Sequence, residues 1–385
     1  MAAERRTILV SGGGTGGHVF PAVAVAHAIV AADPRYEPVF IGTEDRLEGR
    51  LVPEAGFTLH HIEAVPVPRR PSLRILRLPF ALRRAVRRCM DLAVETEAVA
   101  VATFGGFVSF PVARAAHRLG LPLVVHEQNS VPGLANRFAA RWADRIAVSF
   151  PGSADRFAHP ERVAVTGNPV REAIRGAGTE ERHAASLAHF KLRPGRRTLL
   201  VLGGSQGAQT LNRALIASHA RWRNHAELQI LHAAGRNHYR ESAAAWERAR
   251  NTSEGPLVRC IDFIDDMGAA YDVADVVLSR AGATTIAELT VLGKPSVLVP
   301  YPHATGDHQR HNAVALEAAG AARMIADDAL DSDRLVAAVE PLLEDGEARE
   351  AMASAARVFG RPNAADNVTR VLLGLVEGSG GVRGT

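Results

Sequence analysis

His18 closes a run of unusual spacing, "ILVSGGGTGGHVFPAVAVA", from Ile8 to Ala26. An apolar strand leads into five glycines and Thr15, and a helix follows. Glycines in such a turn let backbone approach a phosphate, and the helix beyond supplies free N–H groups and a positive dipole end. The same glycines also suit a tight turn with a purely structural role. An imidazole at the start of the helix is either a cap or, in the crevice above a sheet, a general base working near neutral pH. No Gly-Lys-Ser/Thr follows, so this is not a Walker loop. A dinucleotide fingerprint needs an acid about 20 residues further on. Glu44 or Asp45 of "VFIGTEDR" could take that place.

A second loop rhymes with the first. "LLVLGGSQGA" puts Gly203, Gly204, Ser205 and Gly207 after a strand, with Ala208 where the first loop has His18. The first half then carries the chemistry and the second holds a nucleotide. In "FIDDMGAAYDVADVVLSRAGATTIAEL", strand Val276–Ser279 meets a turn at Gly282 and Ala283. Thr284 and Thr285 open a helix whose N–H groups and hydroxyls suit a diphosphate. Glu288, one turn after Thr284, is either a solvated helix acid or the acceptor for both hydroxyls of a ribose. Ser205 can reach a phosphate from the neighbouring loop.

These residues need a sheet to hold them. Apolar runs alternate with helical stretches: Thr7–Val10, Pro38–Ile41, Ala98–Ala102, Leu123–His126 and Arg145–Val148, then Thr198–Leu202, Gln229–Ala233, Val258–Phe263, Val276–Ser279 and Ser296–Val299. Continuous apolar strands between helices imply parallel sheets covered on both faces. The fold class is therefore α/β, with two doubly wound domains. Residues 1–168 form the first and 169–354 the second. A helix at about 355–374 crosses back to the first domain, and the glycine-rich end, 375–385, is disordered.

The composition, 47% hydrophobic and 22% charged over 385 residues, is that of a soluble globular chain. A net charge of +4, nearly all of its cations arginine, gives no sign of a nucleic-acid partner. Two distant cysteines, Cys89 and Cys260, point to a reducing compartment. "MAAERRTILV" carries no apolar signal core, and no run approaches the ~20 apolar residues of a membrane span, so a cytosolic location is expected. No His/Cys cluster has zinc spacing. Asp331-Ser332-Asp333 and Asp265-Asp266 read as helix caps, so neither metal nor other cofactor is expected.

The segment "RRPSLRILRLPFALRRAVRR", Arg69–Arg88, holds eight arginines and no acid. It is either a solvated basic helix or a docking surface for an anionic membrane. The docking reading uses Ile75, Leu76, Leu78, Phe80 and Leu82 with Arg83, Arg84, Arg87 and Arg88.

In order along the chain stand "GGTGGHVFPAVAVA", "HEQNSVPGLANR", "GNPVRE", "GGSQGAQTLN", the Phe263–Leu289 stretch and "DHQRHNA". This set resembles the MurG family of peptidoglycan N-acetylglucosaminyltransferases from about Thr7 to Asn367. The resemblance implies a GT-B architecture, two Rossmann-like domains facing across a cleft. It implies inverting transfer of GlcNAc from UDP-GlcNAc to the C4 hydroxyl of the MurNAc moiety of lipid I, MurNAc-(pentapeptide)-pyrophosphoryl-undecaprenol, giving lipid II without a metal. Donor contacts are implied at Thr15, Gly16, Gly17, Asn129, Arg171, Ser205, the backbone of Ile264, the run Ala283, Thr284, Thr285, Ile286, Ala287 and Glu288, and at His308 and Gln309. His18 is the candidate base, with His126 and Glu127 as rivals. The resemblance also implies a peripheral place on the cytoplasmic face of the inner membrane, with other cell-wall and division proteins as partners. Phe110 of "GGFVSFPV" departs from the family pattern, which has glycine there.

Two other readings compete. One is another enzyme of the same fold, a UDP-GlcNAc 2-epimerase or a glycosyltransferase with a soluble acceptor. It leaves the "GGTGGH" loop and the basic apolar segment without a reason. The other is a silent UDP-sugar-binding or scaffold protein, against which His18, Ser205 and Glu288 argue.

Overall fold

The computed structural model describes residues 5–63, 74–176, 180–204, 206–225, 227–252 and 255–380. The chain divides into two compact units, Met1–Arg171 with Arg361–Thr385, and Glu172–Gly360.

The first unit is built on seven parallel strands: β1 (Arg6–Ser11), β2 (Tyr36–Gly42), β3 (Thr58–His61), β4 (Ala98–Thr103), β5 (Leu123–Glu127), β6 (Arg145–Val148) and β7 (Val163–Val165). Their order is β3-β2-β1-β4-β5-β6-β7. Ile8, Leu9 and Val10 are all buried, because helices cover both faces of the sheet. The helix Gly16–Ala32 is apolar on nearly every side for a similar reason. Its Val19, Val25 and Ile29 share a core with the sheet and with Val368, Leu372 and Val376 of the helix Ala364–Gly380. Connectivity steps outward from β1 on one side and from β4 on the other. Such a reversal opens a crevice at the carboxyl ends of the central strands. The loops after β1 and β4 border it.

The second unit repeats the plan with six parallel strands: β8 (Arg197–Leu202), β9 (Leu228–Ala233), β10 (Leu257–Ile261), β11 (Val276–Ser279), β12 (Ser296–Leu298) and β13 (Arg323–Met324). The order is β10-β9-β8-β11-β12-β13, so the reversal lies between β8 and β11. Trp222, Trp246, Leu335 and Leu342 fill one side of this sheet.

Several boundaries differ from expectation. β3, β7 and β13 are unexpected strands, and all three are sheet edges, too short or too polar to show an apolar run. The strand expected to reach Phe263 ends at Ile261. The crossing helix expected at 355–374 is two helices, Gly346–Phe359 in the second unit and Ala364–Gly380 in the first. Gly360, Arg361, Pro362 and Asn363 separate them, and Gly360 lies so close to Thr290 that a Cβ would meet its carbonyl oxygen at 2.7 Å. The end of the chain is helical as far as Gly380 rather than disordered from 375, because Val376 is held in the core. Residues 381–385 lie outside the described residues. The division falls after Arg171, which places that arginine in the first unit rather than in a second domain starting at 169.

The first unit buries His126, and the second buries His219 and His232. In the second, Trp246 Nε1 donates to His232 Nδ1 at 3.0 Å, and His232 Nε2 lies 3.0 Å from Asn212 Oδ1. Burial pushes His232 down to about 3 and His126 of the first unit down to about 4. Both sit below the unfolded value of about 6.5, so the unfolded chain binds more protons once pH falls under that value. Stability is complete above it and is lost on acidification. Urea unfolding between pH 7.5 and 5 should show the loss starting near pH 6.5 and approaching about 1.4 kcal/mol per pH unit for each histidine. A flat profile over that range contradicts the assignment.

Candidate active site

In the first unit the glycine loop between β1 and the helix Gly16–Ala32 wraps a buried carboxylate. Glu48, from the first turn of the helix Leu47–Glu54, is 1% exposed. Its Oε2 accepts from Gly14 N at 2.8 Å, and its Oε1 accepts from Thr43 Oγ1 at 2.7 Å and Thr43 N at 3.3 Å. Any side chain at Gly13 would collide with it, since a Cβ there lies 2.5 Å from Oε1. Gly14 adopts φ +86°, which glycine alone takes without strain. Sequence reasoning assigned the acid of this loop to Glu44 or Asp45, and both are exposed. The only sequence signal for Glu48 is its place in the first helical turn after β2.

His18 is half-buried, with Nδ1 3.0 Å from Gly13 O and 3.3 Å from Thr15 Oγ1. A carbonyl oxygen only accepts, so Nδ1 carries the proton and the neutral ring has its lone pair on Nε2. That nitrogen faces Gly105 of the loop after β4, where a Cβ would come within 3.0 Å of it. Gly13 N donates to Gly105 O at 3.3 Å, which ties the two switch-point loops together. Ser109 closes the second loop, accepting from Gly105 N and donating to Gly105 O. Phe110 turns away onto Trp142, with ring centroids 5.5 Å apart. Thr15 is exposed and Gly16 and Gly17 are half-exposed at the helix start, where N–H groups have no intrahelical partner.

The other two candidate bases have different work. His126 is 1% exposed, donates from Nε2 to Gly167 O at 3.0 Å, and receives Gln128 Nε2 on Nδ1 at 3.1 Å. Its burial keeps it neutral. Glu127 is equally buried and accepts from Asn129 N, Asn129 Nδ2, Gly133 N and Asn136 Nδ2 at 2.9–3.2 Å. Both side chains are thus buried and hydrogen-bonded within the first unit, Glu127 to the loop that presents Asn129 and His126 to Gly167 and Gln128. Arg171 lies with its guanidinium carbon 4.0 Å from the Phe20 ring centroid, which holds its charge beside the start of the helix Gly16–Ala32.

The second unit presents its own loops. Gly207 and Gly235 both have positive φ and meet backbone to backbone, so that a Cβ on Gly235 would lie 2.1 Å from Gly207 Cα. Asn212, unremarked in the sequence, donates to Ala234 O and fixes the helix Gln209–Ala217 to the end of β9. Ser205 lies outside the described residues. Ile264 is buried after β10, and Asp266 caps the helix Met267–Val273 through Ala269 N. After β11 the helix Ala283–Leu292 starts at Gly282. Ala283 and Ile286 are buried, while Thr284, Thr285 and Ala287 are half-exposed. Thr284 Oγ1 is buried with no protein hydrogen-bond partner.

Glu288 is 4% exposed, which removes the solvated-acid reading, and its Oε2 accepts from the buried Tyr271 hydroxyl at 2.8 Å. Asn312 of the helix His308–Ala318 donates to Ala281 O and anchors that helix to the turn. His308 Nδ1 lies 2.8 Å from Thr305 O, and Gln309 Oε1 accepts from Tyr301 N at 2.9 Å. Sequence reasoning missed Tyr271 and Asn312, because neither position shows its hydrogen bond until the fold exists.

The helix Arg74–Glu95 carries the basic segment from Arg74 to Arg88, and residues 69–73 lie outside the described residues. Phe80 is 70% exposed, Leu78 and Leu82 are half-buried, and Arg83, Arg84, Arg87 and Arg88 are exposed. Arg84 pairs with Glu63, and Arg88 with Glu95 at 3.0 Å. The side chains of Ile75 and Leu76 lie outside the described residues. Among the described residues, no helix is long and apolar enough to cross a membrane. The metal-capable side chains that the described residues bring together are His225, Glu340 and Glu344. They pair with one another, His225 Nε2 lying 3.1 Å from Glu340 Oε1. Asp331 caps the helix Ser332–Glu344 through Arg334 N.

Comparison with known proteins matches each unit to a family model. Residues 8–148 match the glycosyltransferase family 28 N-terminal domain, and residues 198–368 the family 28 C-terminal domain. The chain is 42% identical over 376 residues to the UDP-N-acetylglucosamine--N-acetylmuramyl-(pentapeptide) pyrophosphoryl-undecaprenol N-acetylglucosamine transferase of Acidithiobacillus ferrooxidans, covering 98% of this chain and 99% of that protein. It is 39% identical over 375 residues to the protein of the same name from Halothermothrix orenii, covering 97% and 100%. Among solved structures, Acinetobacter baumannii MurG superposes with TM-score 0.74 at 28% identity, covering 96% of this chain and 99% of that one. The UDP-GlcNAc 2-epimerase of Neisseria meningitidis shares the fold, with TM-score 0.68 at 13% identity over 96% and 100% of the two chains. The two matched domains, together with relatives this close over nearly the whole chain, establish that it belongs to the MurG family of glycosyltransferases.

Proposed function

We propose that this chain transfers GlcNAc from UDP-GlcNAc to the C4 hydroxyl of the MurNAc moiety of lipid I, with inversion at the anomeric carbon, to give lipid II. The observation that carries the reading is the hydrogen bond from His18 Nδ1 to Gly13 O, which leaves the ring's lone pair on Nε2. His18 Nε2 takes the proton of the acceptor hydroxyl. The acceptor oxygen bonds to the anomeric carbon as that carbon's bond to the β-phosphate oxygen breaks, and UDP leaves with the electron pair. No metal is used. The N-terminus of the helix Ala283–Leu292 offsets the charge gathering on UDP. Glu288, braced by Tyr271, accepts the ribose hydroxyls, and Thr284 meets the diphosphate.

The acceptor is a lipid, and the exposed Phe80 among exposed arginines suits peripheral docking on the anionic cytoplasmic face of the inner membrane. Reversing Arg84, Arg87 and Arg88 to Glu should weaken co-sedimentation with phosphatidylglycerol vesicles by well over tenfold, at about 1 kcal/mol per arginine removed. Unchanged co-sedimentation overturns the docking surface.

The activity itself is tested by UDP release from UDP-GlcNAc with and without a lipid I analogue. Release should depend on the acceptor. Equal release in both arms would sink the transferase reading. His18→Ala should retain UDP-GlcNAc binding while turnover falls about 10²–10⁴-fold, the usual worth of a positioned base. Full turnover in that variant moves the base elsewhere.

A further inference from the structure

We propose that Glu48 is a positioning residue for His18, acting through the single peptide group that joins Gly13 to Gly14. This peptide presents its two polar atoms on opposite sides. Its N–H, from Gly14, donates to Glu48 Oε2 at 2.8 Å. Its C=O, from Gly13, accepts from His18 Nδ1 at 3.0 Å. The order is therefore carboxylate, peptide, imidazole. A carboxylate bonded directly to an imidazole N–H fixes the ring's tautomer and stabilises the charge it gains as a base. Here the peptide stands between them. A negative charge on the N–H side draws electron density toward the carbonyl oxygen and makes it a stronger acceptor for Nδ1–H, as linked hydrogen bonds polarise one another in a low dielectric.

The surroundings are those of a built device. The carboxylate is 1% exposed, and among the described residues no cation donates to it. Its hydrogen bonds come from Gly14 N, Thr43 N and Thr43 Oγ1, all neutral donors. A buried charge held by neutral dipoles keeps its field, where an adjacent arginine would cancel it. Room for it is made at two glycines: a Cβ on Gly13 would lie 2.5 Å from Oε1, and one on Gly42 would lie 2.8 Å from Glu48 Cγ. The Gly14 N–H is thereby committed to a carboxylate, so the loop serves the imidazole at this point and not a phosphate.

The proposal rests on His18 being the base, and the experiment separates the two claims. Ring nitrogens of His18 are followed by 15N NMR in the full chain labelled with 15N-histidine, at a pH where the ring is neutral. In the parent, Nδ1 should be the protonated nitrogen, and dominance of the Nε2–H form overturns the proposal without any variant. In Glu48→Gln the Nε2–H population should rise at least twofold. In the same variant kcat should fall about tenfold while the KM for UDP-GlcNAc stays within twofold, because orientation of the base is lost and not donor binding. Unchanged ring populations in Glu48→Gln overturn the coupling, whatever happens to kcat. Changed populations with full kcat support the coupling and refute His18 as the base. Glu48→Asp withdraws the carboxylate by one methylene while keeping its charge. It should move the populations in the same direction, and it decides the matter if the amide variant does not fold.

Discussion

Everything chemical in this chain depends on a constraint of parallel sheets. Parallel neighbours need long crossovers, and a sheet that grows outward in both directions must reverse somewhere. It reverses between β1 and β4 in the first unit and between β8 and β11 in the second. The loops leaving those central strands diverge, and backbone there need not be covered by a helix. Gly12–Thr15, Phe104–Val108, the described residues 203–204 and 206–208, and Arg280–Gly282 belong to those loops. Glycine concentrates in the first pair because two turns share one narrow gap: a Cβ on Gly106 would lie 2.3 Å from Gly13 O.

Within that frame, three buried carboxylates organise the loops. Glu48 binds the first glycine turn, Glu127 gathers the backbone and amides from Asn129 to Asn136, and Glu288 accepts from Tyr271. The bonds seen for each come from N–H or O–H groups of neutral residues. Burying an anion is costly unless several donors converge on it. Convergence of that kind is directional, so each carboxylate fixes loop geometry as well as satisfying its own charge. Loops without regular structure gain definition in this way.

Much of this was legible in the sequence, for reasons that differ by element. Strands such as Arg145–Val148 and Val276–Ser279 were readable to the residue, since both sheet faces are covered and the runs are apolar apart from Arg145 and Ser279 at their ends. Edge strands Thr58–His61, Val163–Val165 and Arg323–Met324 carry no such signal. His18 and Glu288 stood out because each follows a glycine turn at the start of a helix. Glu48, Asn136, Asn212, Tyr271 and Asn312 were hidden, because a single polar residue shows its importance only when burial and partner are known. The burial of His126 and Glu127 was hidden for the same reason, since a place at a strand end does not show how deeply a side chain sits.

The break from Gly360 to Asn363 has a consequence in time. The second unit is one continuous stretch, but the first is closed by the last helix of the chain. A ribosome emits Val25 and Ile29 more than three hundred residues before Val368, Leu372 and Val376, their neighbours in one core. The first unit is begun first and finished last, and its unfinished side is a greasy surface throughout synthesis. Chain birth order therefore runs against the usual sequence in which N-terminal domains fold as complete units. Truncation at the C-terminus would strike the unit that holds the histidine, although the cut lies at the opposite end of the chain.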